Sequence, residues 1–333
     1  MKKLILLIII IHFNITAYNQ IITGTVLDKK SNEKICFANI YFNGTFVGTS
    51  SDIDGNFKLD VSENISMPLT ISSIGYYSVT LTDFSTDKPL IIYLEPKAIE
   101  MKEVVVSVKS LVRKRKANLR LFRKIFLGTT ENSMDCRIMN ENDITFNYDS
   151  DRDTLKAFAS KPIQIDNNAL GYKITYYLDK FEYDRKNGAF NYKGNIIFNE
   201  DLSAKNPNRE LYELRRKSTY LGSRMHFFRS LWADELDSNG FEVRYTENKN
   251  LKYNDIVFQT IDNLQDSLLT KKFIAYPASL NIQYGKNSST IIFLKPLVYF
   301  NENGYSDTGI IWEGEMAKKR IGDALPFEYV PKD

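Results

Sequence analysis

From Ile21 to Leu94 the chain is divided into short runs of alternating apolar and polar residues by turn-forming clusters at nearly regular spacing. That cadence leaves room for little but an all-β fold. The run Ile22-Thr23-Gly24-Thr25-Val26-Leu27 meets a turn over Asp28 to Lys34, Cys36 to Phe42 meets Asn43-Gly44-Thr45, and Thr49 to Leu59 bends at Asp54-Gly55. Pro68 precedes a run from Leu69 to Tyr76, and Leu90 to Leu94 closes the series. The Asn43-Gly44 pair predicts a type I′ hairpin turn, in which both central residues take positive φ. Strands this short and this frequent bury their apolar faces most economically as two sheets packed face to face, so residues 21–95 are expected to form a seven-stranded β-sandwich. Asp52, Asp54 and Asn56 are similar to part of a calcium loop, but an EF-hand loop has glycine at its sixth position and a bidentate glutamate at its twelfth. Gly55 falls fourth, so the segment reads as a turn and no metal is expected.

The ordered motifs GTVLDKKSNEKICFANIYFNGTFVGTSSDIDGNFKLDV, LTISSIGY and IIYLEP resemble the carboxypeptidase-like regulatory domain, a transthyretin-like sandwich of exported proteins in Bacteroidetes-type bacteria. The resemblance implies a non-catalytic module, because in metallocarboxypeptidases it accompanies the catalytic domain and carries none of its chemistry. The phrase LEPKAIEMKEVVVSV, with a strand expected from Met101 to Val108, resembles the join after this sandwich in TonB-dependent outer-membrane transporters. Those continue into a barrel of about 22 strands, for which the remaining chain is too short. What the resemblance still implies is location in the periplasm or at the outer membrane and cell surface.

Residues 1–20 read as an export signal: Lys2 and Lys3 precede an apolar run from Leu4 to Ile11, which His12 and Asn14 interrupt before small residues at Thr16 and Ala17. A bilayer span needs roughly 20 apolar residues. Cleavage is expected after Ala17 or Gln20. No cysteine stands at Tyr18, Asn19 or Gln20 to take a lipid. Cys36 and Cys136 lie in the exported part, where a disulfide is permitted; two buried apolar thiols are the expectation. With 44 Lys and Arg against 41 Asp and Glu, the net charge of +3 gives no global case for nucleic acid.

Residues 96–127 read as a connector. From Val112 to Leu127, Leu119, Phe122, Ile125 and Phe126 recur at helical spacing, and Gly128 ends the pattern. The basic group Arg113, Lys114, Arg115 and Lys116 is a candidate peripheral membrane contact, while the apolar stripe is expected to dock on the second domain. That domain, residues 128–333, reads as a β-rich α+β domain with a helical insertion from Arg209 to Leu236 stopped by Gly240. Strands are expected at Ile144 to Tyr148, Tyr172 to Tyr176, Phe190 to Ile196, Phe241 to Tyr245, Ile256 to Phe258, Leu280 to Tyr284, Ile291 to Leu294 and Val298 to Phe300. This part, with Leu170-Gly171-Tyr172 and the ending WEGEMAKKRIGDALPFEYVP, also resembles a C-terminal region that accompanies the sandwich in exported Bacteroidetes proteins and carries no established activity.

His226 is the only histidine beyond the export signal. A carboxypeptidase-type zinc site uses two histidines and a glutamate, so that enzyme is excluded. The chain also lacks a GxSxG elbow, a P-loop, a GxGxxG and a CxxC. Ser223, Arg224 and His226 form the one local candidate site, with helix packing the expected role of His226. The function expected is therefore non-enzymatic: an envelope binding or assembly module, without cofactor, acting through protein or glycan contacts. The alternative is a glycosidase-like hydrolase using paired carboxylates such as Asp179 with Glu182 or Asp234 with Glu235.

Overall fold

A computed structural model describes residues 20–62, 64–97, 108–246, 249–264 and 267–332. The export signal, over residues 1–19, and the strand expected from Met101 lie outside them; Val108, expected at that strand's end, opens a helix instead. Strand exceeds helix by 41% to 20%, which makes the chain mainly β.

Seven strands form the sandwich: β1 (Ile21–Asp28), β2 (Asn39–Phe42), β3 (Gly48–Ser50), β4 (Asn56–Asp60), β5 (Leu69–Ser72), β6 (Val79–Leu81) and β7 (Leu90–Leu94). A sheet of order β4-β1-β7 faces one of order β3-β2-β5-β6. Because side chains alternate across a strand, Ile22 and Val26 of β1, Phe57 and Leu59 of β4, Ile40 and Phe42 of β2 and Ile71 of β5 meet in one core.

Two expectations here need correction. Phe37 takes φ 55° and breaks the run from Cys36 to Phe42, so that Ala38, Ile40 and Phe42 point inward and Cys36 is exposed rather than buried. At Asn43-Gly44 only Gly44 has positive φ, 83°, and the Thr45 amide donates to Phe42 O at 3.2 Å. Glycine at the third turn position with that bond is a type II arrangement, not type I′. The segment around Gly55 is a turn as expected, with the Asp52 carboxylate accepting from the amides of Asp54 and Asn56.

Helix α1 (Val108–Phe126) ends at Gly128, whose φ is 109°. Phe122 and Phe126 are fully buried, and burial of each stabilises by roughly 1.5–3 kcal/mol. The apolar stripe thus docks the helix on the second domain, as expected. It packs on a six-stranded sheet that comes after α2 (Glu131–Met134): β8 (Cys136–Ile138), β9 (Ile144–Asp149), β10 (Thr154–Ala159), β11 (Ile163–Asn167), β12 (Tyr172–Asp184) and β13 (Phe190–Asp201). Its order is β8-β11-β12-β10-β9, with β13 also paired to β12. The Phe122 ring lies 4.8 Å from that of Phe181, and Phe126 4.8 Å from Tyr176.

The helical insertion is α3 (Arg209–Tyr220) and α4 (Arg224–Ala233). Asp234, at φ 58°, terminates α4 in a left-handed cap. Gly240 lies beyond, in the turn before the next strand, and so is not the stop expected of it. Then come β14 (Phe241–Thr246), β15 (Lys249–Asn250), α5 (Tyr253–Ile256), β16 (Val257–Leu264), β17 (Ser267–Ile274), β18 (Leu280–Tyr284), β19 (Asn287–Phe293), β20 (Val298–Phe300), β21 (Ile310–Gly314) and α6 (Glu315–Lys318). They form sheets of order β15-β14-β18-β19-β21 and β16-β17-β20. Phe227, Phe228 and Leu231 of α4 cover both, against Phe241, Ile282, Ile291 and Phe300. Among the described residues no helix is long and apolar enough to cross a membrane.

The sandwich is joined to the rest through the tip of its β2–β3 hairpin, which lines the free side of β13. The Ile196 amide donates to Asn43 Oδ1 at 2.7 Å, the Gly44 amide to Ile196 O at 2.8 Å, and the Phe198 amide to Thr45 O at 2.9 Å. The Phe46 ring packs against those of Tyr172 and Phe198, at 6.0 and 5.7 Å. From the C-terminal end, the Phe327 amide donates to Gly44 O, and Glu328 Oε1 accepts from the Phe46 amide.

Candidate functional site

Between the sandwich and the sheet β16-β17-β20 lies a cleft of about 650 Å³. One wall is the sandwich's loop from Ile65 to Pro68 and the segment from Thr82 to Thr86 that leaves β6; the other carries Lys271, Phe273, Tyr299 and Asp307. Strand alternation builds the second wall. On β17, Ile274 points into the core and Lys272 reaches Trp232 O, so Lys271 and Phe273 take the opposite face. On β20, Val298 and Phe300 are buried while Tyr299 faces the cleft. Phe273 and Tyr299 are direct cross-strand neighbours, with ring centroids 5.9 Å apart.

Polar contacts bridge the walls. The Tyr299 hydroxyl donates to Ser66 O at 3.0 Å, and burial pushes its pKa above the ordinary phenol value. The phenol therefore stays a neutral donor. Lys271 Nζ lies 3.4 Å from Asp83 Oδ1 across the mouth. Asp83 is largely exposed, so solvent screens the pair from one side. Asp307 accepts from the Tyr305 hydroxyl at 2.8 Å. The cleft thus sets the rings of Phe84, Phe273 and Tyr299 beside carboxylates, an ammonium group and hydroxyls. That mixture suits a ligand with both apolar faces and many hydroxyl groups.

The residues singled out from the sequence lie elsewhere. Ser223, Arg224 and His226 are neighbours on α4 with separate roles, and none of them lines the cleft. Ser223 caps the helix, its Oγ accepting from the His226 amide at 3.2 Å. Arg224 donates to Met316 O and lies over the Trp312 ring at 5.4 Å. His226 is buried between Tyr220 and Phe241, each ring 4.8 Å away. Its Nδ1 accepts from the Gly222 amide at 3.1 Å, which leaves the proton on Nε2, 3.4 Å from Asn239 Oδ1. Burial holds its pKa below the ordinary imidazole value. It is a neutral packing residue.

Of the proposed acid pairs, Asp179 is bound to Lys97 and Ser78, Glu182 to Lys180, and Asp234 is the α4 cap; none lines the cleft. The basic group on α1 is not one unit, because Arg115 donates to Ile144 O and Glu141 O at 2.8 Å each while Arg113, Lys114 and Lys116 are exposed. Cys36 and Cys136 are both free, and burial pushes the Cys136 thiol up to about 12. The cleft residues went unread in the sequence. Tyr299 stood in an expected strand, but nothing local marked it as facing Ser66.

Residues 22–106 match the CarboxypepD_reg-like domain. This bears out the resemblance of the sandwich to the carboxypeptidase-like regulatory domain, a non-catalytic, regulatory class of β-sandwich. No curated protein matches the chain.

Proposed function

We propose that the chain is an exported, non-enzymatic cell-envelope protein, acting in the periplasm or at the cell surface, whose cleft between the sandwich and the sheet β16-β17-β20 binds a glycan. The reading is carried by the juxtaposition of Phe273 and Tyr299, 5.9 Å apart, with Asp83, Lys271 and Asp307 in one cavity of about 650 Å³. The C–H face of a pyranose stacks on aromatic rings, and its hydroxyls both donate to carboxylates and accept from an ammonium group. The sandwich serves as one wall of the site, a role that fits a domain class without chemistry of its own.

The test is calorimetric titration of the purified chain against a panel of oligosaccharides of differing sugar composition and linkage. Phe273→Ala and Lys271→Ala should each weaken the bound sugar by about tenfold, or about 1.4 kcal/mol, while circular dichroism shows that each variant remains folded at the assay temperature. A panel with no ligand, or affinities that ignore both substitutions, overturns the proposal.

A further inference from the structure

A second concavity, of about 800 Å³, lies remote in sequence from the first, between the last turns of α1, the segment from Gly128 to Met134, and β8. β8 is the edge of the six-stranded sheet and has no partner on its outer side among the described residues. The register fixes which backbone groups face outward. The Met139 amide donates to Gln164 O at 2.8 Å, and Asp135 O accepts from the Asn168 amide at 3.2 Å. In an antiparallel pair alternate residues bond to the partner, so Asp135, Arg137 and Met139 face β11. Cys136 and Ile138 then turn their N–H and C=O groups to the open edge, and both line the concavity.

Natural sheets blunt such an edge by shortness, charge, a proline, a bulge or a covering segment; β8 is three residues long and carries Arg137, but no strand covers it among the described residues. The edge is flanked by an apolar and basic trough. Leu127 and Ile138 are buried at its floor, while the Met134 and Met139 side chains stand 74% and 60% exposed on its rim. Methionine on a rim adapts to varied side chains. Arg123 is neutralised by Glu141, but Lys124 and Arg137 are exposed and have no ion pair among the described residues. We infer that this groove receives an extended acidic peptide segment of a partner protein, added as a strand to β8, with its carboxylates against Lys124 and Arg137. Strand addition supplies main-chain hydrogen bonds, and the flanking charges select the sequence. This site is independent of the glycan cleft.

The test uses the full chain and four fluorescein-labelled peptides: one alternating glutamate and valine, one alternating lysine and valine, and two versions of the first with N-methyl groups on alternate amides in opposite phases. By fluorescence anisotropy the glutamate peptide should bind, weaken with added salt as surface charge pairs do, and lose about tenfold or more when Lys124→Glu and Arg137→Glu are combined. N-methylation of the amides that face β8 should abolish binding, while methylation in the opposite phase leaves it intact. Hydrogen exchange should slow at the amides of Cys136 and Ile138. Equal binding of the lysine peptide, indifference to N-methylation, absence of binding, or a dimer in sedimentation that Arg137→Glu dissolves would each overturn the assignment, the last in favour of a second copy of the chain.

Discussion

Substituting Gly44 by alanine tests how the sandwich is held. Gly44 sits at the tip of the docking hairpin with φ 83°, and a Cβ there would lie 2.6 and 2.8 Å from two ring carbons of Phe327. Phe327 cannot simply withdraw, because its own amide is bonded to Gly44 O at 2.8 Å. Gly75 is an internal control: its φ is 85°, and a Cβ there meets nothing within 4 Å. Left-handed backbone costs an L residue about 1–2 kcal/mol, so Gly75→Ala should lose about that much. Gly44→Ala carries the same strain plus overpacking of about 1–3 kcal/mol, for a total of about 2–5 kcal/mol. Urea denaturation followed in parallel by far-ultraviolet circular dichroism and by the fluorescence of Trp232 and Trp312 reads both losses. In a double-mutant cycle, Phe327→Ala should recover the overpacking part, about 1–3 kcal/mol, in the Gly44→Ala background. Equal losses at the two glycines, or no coupling to Phe327, would refute a hairpin seated against the C-terminal segment.

Alkylation with iodoacetamide at mildly alkaline pH, read by mass spectrometry, should modify Cys36 rapidly and leave Cys136 intact, since Cys36 is exposed and burial pushes the Cys136 thiol up to about 12; two equally fast sites would contradict this. Stability should also fall on mild acidification. His226 has a folded pKa that burial holds below its unfolded value of 6.5, so its contribution is complete above 6.5 and is lost as the pH falls from there through the lower folded value, with a slope of at most about 1.4 kcal/mol per pH unit. His226→Gln should flatten that slope in urea titrations, and an unchanged slope would count against a neutral buried imidazole.

The sandwich was legible in the sequence because its information is local: β1 and β4 alternate cleanly, and Gly44, Gly55 and Gly75 mark their turns. The helices α3 and α4 were legible for the same reason, through the spacing of Tyr212, Tyr220, Phe227 and Leu231. β10 was not, because Phe158 is exposed on the face opposite Leu155 and Ala157, and apolar residues on both faces erase the period of two. β11 and β17 went unread as well. The cleft was illegible for a different reason. Asp83 and Lys271 meet across 188 positions, and Tyr299 reaches Ser66 across 233. No window of sequence contains such a pair.

The long-range contacts also change what the sandwich does. A module that merely displayed the rest of the chain would touch it through a linker, whereas this one is held at three separate places. Its hairpin tip binds the edge of β13 and the segment around Phe327; Lys97 and Ser78 reach Asp179 on β12; and Ser66 receives the hydroxyl of Tyr299 on β20. The last contact is part of the cleft. Opening the cleft by a rigid movement of the sandwich would strain the other two attachments together, one of which packs the half-buried Phe46 against the core beneath α1. Such a movement is therefore resisted, and the spacing of the cleft walls is set by the fold. A small loosening at Gly44, distant from the cleft in sequence, should then change the angle between those walls.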